Sequence, residues 1–311
     1  CKDPDLMPEP EAIATALRAP LLKTFPPALL GRLVTIPYYP LNDEMLAAII
    51  EDLHRFGGEV IYFSGDAITC WLDEDDGRRA AACALQMQQT MRDVGVVTTD
   101  GGTRVELALK AAIAVGRARR FVVGDPDLQL IDVLAGSLID DMAAAEQLAR
   151  RGEVLLDQTA LDELGELVQV GEVRTGDEGS RCGVLVSLTG DVAQQEPPDA
   201  LEALSPEITR HWLLPTVYER LTSGDGAFFA ELRSVFPMFI RFSGIDFDED
   251  SAAAAKLDEF VRKAQHVLND YGGNLLQLTL GDKGAYLYGV FGSPRVHEDE
   301  ASRSVAAALE L

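Results

Sequence analysis

The chain has no apolar run of the roughly 20 residues that a membrane-spanning helix needs, and it does not open on a basic-then-apolar export signal. It is short of basic residues: Lys+Arg number 27 against 51 Asp+Glu, for a formal charge of -24. A surface so charged repels phosphate backbones and anionic lipid, so nucleic acid and membrane are set aside as partners and a soluble, cytoplasmic protein is expected. Cysteine is sparse, and Cys1, Cys70, Cys83 and Cys182 show no metal-ligand spacing. Cys70 and Cys83 sit in apolar stretches and read as core thiols of a reducing compartment. His54, His211, His266 and His297 have no cysteine or carboxylate at ligand spacing. There is no glycine-rich loop ending in Lys-Ser/Thr and no nucleophile elbow, which excludes the P-loop and the serine-hydrolase arrangements.

What the chain does carry is a pattern stated twice. Phe56-Gly-Gly-Glu-Val-Ile-Tyr-Phe-Ser-Gly-Asp66 leads into an alanine-rich stretch at 77–87. Tyr271-Gly-Gly-Asn-Leu-Leu-Gln-Leu-Thr-Leu-Gly-Asp282 leads into another at 301–311. Both read as helix, Gly-Gly turn, strand, Gly-Asp hairpin, strand and helix, so a duplicated α/β module is expected. The second copy has one more residue between its Gly pair and its Gly-Asp, which predicts a bulge or a longer hairpin tip in one of the two.

The helix before the first turn is predicted from Met45, Leu46, Ile49, Ile50 and Leu53, with Asn42 as its cap. The helix before the second places Leu257, Phe260, Val261, Ala264, Val267 and Leu268 on one face. Strands are expected at 105–115 and 120–125 about a turn at Gly116, with another near 128–133. A helix over 139–151 and a strand at 153–157 should follow. Pro197, Pro198 and Pro206 mark a linker, and Trp212, Leu213, Leu214 and Val217 form a stripe expected to dock on a module. The resulting division is a first module at 1–190, a linker and bridge at 191–230, and an incomplete second module at 231–311. The prolines at 26–40 resist assignment, 8–17 looks like a helix start, and the opening on Cys1 leads us to expect an upstream piece.

These residues resemble a known family. Gly57 to Ala67, reading Gly-Gly-x-x-x-x-Phe-Ser-Gly-Asp-Ala, resembles the signature hairpin of the class III nucleotidyl cyclases. Ala114-Val-Gly116, Val123-Gly-Asp125 and Gly136-Ser-Leu-Ile-Asp140 resemble that family's next blocks in order. The tandem arrangement looks most like the bicarbonate-regulated soluble adenylyl cyclases and their bacterial relatives. The resemblance implies an α/β fold of two ferredoxin-like modules paired within one chain, with a nucleoside triphosphate in the cleft between them. It also implies Mg2+ or Mn2+ held by two aspartates, one ion activating the ribose 3′-hydroxyl and the other neutralising the departing pyrophosphate.

Carried over residue by residue, Asp66 is the second metal aspartate and the expected catalytic residue. Phe63, Ser64 and Gly65 join it as nucleotide-binding positions, and Gln277 takes the base-reading place that a lysine holds in typical adenylyl cyclases. The first metal aspartate has no counterpart, because 29–39 contains no acid. Two readings stay open: the protein cannot hold two ions, or the strand is absent from this chain. In the second module Arg241 stands where a metal aspartate would, and a guanidinium cannot bind magnesium. Asp282 reads as a structural turn, Tyr62 replaces the bicarbonate-sensing lysine, and 140–144 lacks the expected arginine. Arg117, Arg119 and Arg120 could face polyphosphate, with plain solvent exposure the preferred reading. The expected function is ATP binding between the modules with formation of cyclic AMP and pyrophosphate. The alternative is an inactive pseudocyclase that senses nucleotide or dimerises, with further signalling domains outside this chain.

Overall fold

Apolar residues at helical spacing build the first layer. In the computed structural model, which describes residues 21–22, 43–64, 67–98, 104–176, 179–195, 205–223, 234–281 and 284–311, helix α1 (Asp43–Arg55) turns Met45, Ile49 and Leu53 inward. Strands β1 (Glu59–Ser64) and β2 (Ala67–Trp71) follow as an antiparallel pair, and α2 (Arg78–Val94) closes over them. Ile49, Leu53, Phe56, Cys83, Met87 and Met91 form the core between these helices and the hairpin. The expected helix at 8–17, the Asn42 cap and the proline-rich 26–40 lie outside the described residues.

The single strand expected at 105–115 is broken. After β3 (Val96–Thr98), β4 (Arg104–Glu106) pairs only with β3, and β5 (Ala111–Ile113) belongs to another sheet. The break at 107–110 lets Gly95 accept from Leu107 N–H and Leu109 accept from Gly152 N–H, so the backbone serves two neighbours that one strand could not reach. Strands β6 (Arg119–Val123) and β7 (Ile131–Ala135) form an antiparallel hairpin. Helix α3 (Ser137–Leu148) comes next, ending short of Arg151.

Strand β8 (Val154–Leu156) is fully buried and lies parallel to β5. Asp157 caps α4 (Gln158–Leu164) by accepting from Ala160 N–H at 2.7 Å. Burial raises its carboxyl above the ordinary range despite that bond. With β9 (Val168–Thr175) and β10 (Arg181–Leu188) the sheet order is β5-β8-β10-β9. Its two faces are covered separately, one by Ala81, Ala84, Ala160 and Leu164 and the other by Ala145 and Ala149, which pack on Leu155 and Cys182 of the sheet. Arg174 is buried between Glu153 and Glu172, at 2.6 and 2.8 Å, and its guanidinium holds Glu153 down at about 2.

Two short helices, α5 (Pro206–Trp212) and α6 (Pro215–Thr222), bridge to the C-terminal part. The first of them docks on the β6–β7 loop: Leu130 N–H donates to His211 O at 2.6 Å, and the His211 ring Nδ1 meets Pro126 O at 2.8 Å. Trp212 itself stays 38% exposed, while Leu213, Leu214 and Val217 of the expected stripe are half-buried.

The last sheet has the order β11-β13-β12, from β11 (Phe236–Phe242), β12 (Asn274–Thr279) and β13 (Ala285–Phe291), all antiparallel. Helix α7 (Ala253–Asp270) packs on it with Leu257, Val261, Ala264 and Leu268 fully buried, and α8 (Glu300–Glu310) lies against the same side. Phe121, Val123, Val133 and Ala135 of the β6–β7 hairpin belong to this same core. Around it, Gly124 N–H donates to Asp258 and Asp125 N–H to Gln265, each at 2.8 Å. The Gln265 amide returns a bond to Gln129 O at 2.7 Å, so this buried side chain is satisfied on both ends. Ser137 N–H, at the start of α3, donates to Asp248 at 3.0 Å.

Candidate functional site

The two Gly-Gly turns end their helices in the same way. Gly57 N–H donates to His54 O and Gly58 N–H to Leu53 O; Gly272 N–H donates to Asn269 O and Gly273 N–H to Leu268 O. This is the Schellman pattern, and it requires the positive φ of 71° at Gly57 and 81° at Gly272. The second glycine of each pair has no room for a side chain: a Cβ would come 2.4 Å from Leu53 at Gly58 and 2.7 Å from Phe291 at Gly273.

The hairpins that follow share a register. Each is interrupted two residues after its Gly pair, between Val60 and Tyr62 in one and between Leu275 and Gln277 in the other. The bulge is thus common to both copies, and of the two expected alternatives it is the longer hairpin tip that distinguishes them. The extra residue of the second copy is taken up at the tip, since Ser64 pairs with Ala67 in the first hairpin but Thr279 pairs with Tyr286 in the second. A bulge re-aims the side chain that follows it. Here that side chain is Tyr62, opposite Thr69, and Gln277, opposite Tyr288.

Register then assembles a surface on the second hairpin. Met238, Ile240, Phe242, Leu275, Leu278 and Leu287 face the core under α7. Alternation turns the intervening residues to the other side, where Phe239, Tyr288 and Gln277 make one cross-strand row and Arg241, Tyr286 and Thr279 the next. Phe239 is 67% exposed and stacks on Tyr288 with centroids 4.9 Å apart and an interplanar angle of 19°. Tyr286 approaches the same ring at 6.0 Å. The Arg241 guanidinium lies over Gly284, where a Cβ would meet its Nη2 at 3.4 Å. The Thr279 hydroxyl oxygen is buried and has no hydrogen-bond partner. This face offers a flat aromatic ledge, an amide with both donor and acceptor, and a fixed positive charge.

Of the residues expected to form the site, Asp66 and Gly65 lie outside the described residues, as does Asp282. Ser64 ends β1, and Phe63 pairs with Ile68 on the side that carries Val60 and Cys70, half exposed. Gln277 is half-buried on β12. The aromatic ledge was not anticipated, although the strand Tyr-Leu-Tyr in β13 carries large side chains on both faces, which is the signal that would have found it. The preferred reading of the cationic cluster as solvent-exposed holds for Arg117 and Arg120, the latter also meeting Asp132 at 2.6 Å and Glu59 at 2.8 Å, while Arg119 is half-buried and donates to the carbonyls of Phe247 and Asp250. Two histidines have carboxylate partners after all, His266 with Asp125 at 3.0 Å and His297 with Glu300 at 3.1 Å. The free thiols Cys70 and Cys83 are pushed up by burial to about 11 and about 12, which suits core residues and not nucleophiles.

The described part of the second hairpin offers no carboxylate to a divalent ion. The charge that register places on its open face is the cation Arg241, and among the described residues no group of three His, Cys, Asp or Glu could hold a metal.

No family model matches the chain. It is 19% identical over 295 residues to adenylate cyclase type 10 of Oryctolagus cuniculus, covering 86% of this chain and 18% of that protein. A shorter stretch of 49 residues is 82% identical to the AAA+ ATPase ClpV1 of Pseudomonas aeruginosa, 16% of this chain and 5% of that one. Another, of 56 residues, is 46% identical to the chaperone protein ClpB of Yersinia enterocolitica. The chain thus spans 5%, 6% and 18% of the lengths of these three relatives. Among solved structures it is similar to the guanylate cyclase domain of RhGC from Catenaria anguillulae, with a TM-score of 0.38 and 16% identity over 48% of this chain and 82% of that one. It is also similar to the adenylyl cyclase CyaB from P. aeruginosa, with a TM-score of 0.38 and 13% identity over 49% of this chain and 83% of that one.

Proposed function

We propose that this chain is the nucleotide-binding part of an adenylyl-cyclase-like protein, two duplicated modules that take ATP between them. The observation that carries the reading is the repeat itself: one helix cap, one bulge and one post-bulge position, stated at Tyr62 and again at Gln277. The similarity of 86% of the chain to a mammalian adenylate cyclase supports the choice of ATP over GTP. Gln277 beside the Phe239–Tyr288 stack supplies groups that suit a purine, an amide for its edge and an aromatic face for its ring. In a protein that also supplies the ion-binding acids, such a pair would close ATP to cyclic AMP and release pyrophosphate, with Asp66 as the metal aspartate.

Two observations favour the second reading, a pseudocyclase that binds nucleotide without turning it over. Arg241 occupies the strand position where an ion-binding acid is expected, and no acid stands at 29–39. The short stretches shared with ClpV1 and ClpB are consistent with ATPase sequence elsewhere in the parent protein.

Purified full-length protein incubated with ATP and magnesium or manganese should form cyclic AMP, and Asp66→Ala should abolish it. Absence of turnover with either ion, together with saturable heat on ATP titration, selects the pseudocyclase. Absence of both rejects the nucleotide reading, and tighter binding of GTP than ATP in competition rejects the choice of purine.

A further inference from the structure

Helices α2 and α8 follow the two hairpins, and an arginine in each fixes their common register. Arg79 Nη1 donates to Phe56 O at 3.3 Å, and its Nε pairs with Asp75 four residues before it. Arg303 Nη1 donates to Tyr271 O at 3.3 Å, and its Nε pairs with Asp299, again four residues before. Phe56 and Tyr271 each precede a Gly pair, so the two arginines clamp equivalent carbonyls. Matching them sets Cys83 against Ala307 and Met87 against Leu311. All four belong to the core packed on their own hairpin, which agrees with the register. The other side of the helix is where the copies part. Ala81 and Ala84 are buried and, with Ala80 and Leu85, pack on Ile113, Leu156 and Leu185 of the β5-β8-β10-β9 sheet. Helix α2 is thus a middle layer, apolar on two sides. The same register matches Ala81, Ala84 and Leu85 to Val305, Ala308 and Leu309. Val305 is 60% and Leu309 84% exposed, and among the described residues no layer covers them. One exposed leucine needs no explanation. Two large aliphatic residues four apart, on one side of the helix and in the register where the duplicate carries a sheet, do.

We propose that this side of α8 is a docking surface for a β-sheet face of branched aliphatic residues, supplied by the parent protein outside these 311 residues. The inference rests on the duplication in the reading above but not on its nucleotide, so each can fail without the other. The chemistry of the occupant follows from the match. What lies on α2 is Ile113, Val154, Leu156 and Leu185, aliphatic side chains drawn from three strands. A second copy of this chain does not offer that surface, because the aliphatic face of its own four-stranded sheet already lies under its α2. The formal charge of -24 on each chain also opposes such a pair. Ala308 repeats the small side chain of Ala84, which lets strands come close to the helix.

Hydrogen exchange compared between the 311-residue chain and the parent protein tests this. Amides at 305–309 should exchange about tenfold or more slowly in the parent protein, because a covering layer suppresses local opening. Val305→Gln with Leu309→Gln should remove that difference. The same pair should leave the melting curve of the 311-residue chain unchanged, since both side chains are exposed there. Ser302→Gln, exposed elsewhere on α8, should alter neither. Equal exchange in the two proteins, or protection that survives the paired substitution, overturns the inference. So does a dimer of the 311-residue chain in light scattering that the paired substitution dissolves, which makes a second copy the occupant. ATP titration of the same samples keeps the two proposals apart. Absent protection with saturable ATP binding counts against the surface only, and protection without ATP binding counts against the nucleotide only.

Discussion

Two hairpins in this chain are built alike and employed differently. Each follows a helix closed by a Gly-Gly cap and each is interrupted at the same register. The first is a sheet of its own two strands, set beside β7 and tied to β6 by the Glu59–Arg120 ion pair, with a buried core drawn from residues 49–91. The second gains β11 as a neighbour and completes its core with a hairpin from more than a hundred residues earlier. The repeated part is the part that local chemistry dictates: where a helix must stop, where a strand must kink. What differs is what long-range packing adds, and the aromatic ledge with Arg241 exists only because β11 lies beside β13.

The sharpest way to break the comparison is to attack the shared core. Leu257→Ala, at a fully buried position, should cost about 2–5 kcal/mol in urea denaturation. Hydrogen exchange should then speed up in β6, β12 and β13 together. Faster exchange confined to α7 would show that the two parts do not share a core. Gln265→Ala leaves Asp125 N–H and Gln129 O without their partner and should cost about 1–3 kcal/mol. A cost no larger than that of an exposed glutamine would show the bridge to be incidental.

The caps provide a matched pair. Gly57→Ala and Gly272→Ala each force a side chain onto a left-handed residue, a penalty of roughly 1–2 kcal/mol. Gly272 should suffer more, since its Cβ would come 2.7 Å from the His297 ring, against 3.0 Å from the end of Gln195 at Gly57. Equal shifts in melting temperature would deny the second copy its tighter packing. Acid should distinguish the regions further. Glu153 is held at about 2 by Arg174, well below its usual 4.5, so its ionised form favours the folded state. That contribution is complete above pH 4.5 and fades as pH falls toward 2. Exchange in β8 and β9 should speed up over this window, and Arg174→Gln should remove the dependence. The smallest effect belongs to the exposed ledge, where Phe239→Ala should alter stability by no more than about 0.5 kcal/mol.

Much of the local architecture was legible because it depends on neighbours in sequence. The stripe at Met45, Ile49 and Leu53 and the Gly-Gly pairs specify α1 and both turns, and they do so by spacing and by φ alone. The break of the 105–115 segment was not legible, because its cause is a pair of backbone bonds, to Gly95 and from Gly152. Nor was the docking of α7 on β6–β7, where Gln265 looks like any helix glutamine until Gly124 and Asp125 are brought beside it. The site was legible only in part. Gln277 was proposed through the family resemblance, as the place of a base-reading lysine, whereas Phe239 became a candidate through pairing across strands that sequence does not display. The partners of Arg119 and Arg120 were hidden for the same reason: the carboxylates and carbonyls that meet them come from other elements.

The borrowed hairpin also sets a timetable. Phe121, Val123, Val133 and Ala135 leave the ribosome more than a hundred residues before α7, the helix that covers them. At about 5–20 residues per second, that leaves an apolar edge uncovered for roughly 5–25 s of synthesis. During that interval the nascent chain depends on its strong negative charge, or on a holding chaperone, to stay clear of its neighbours. Slowing elongation between Ala135 and Ala253 should therefore lower the yield of soluble protein, while slowing it after Leu268 should not.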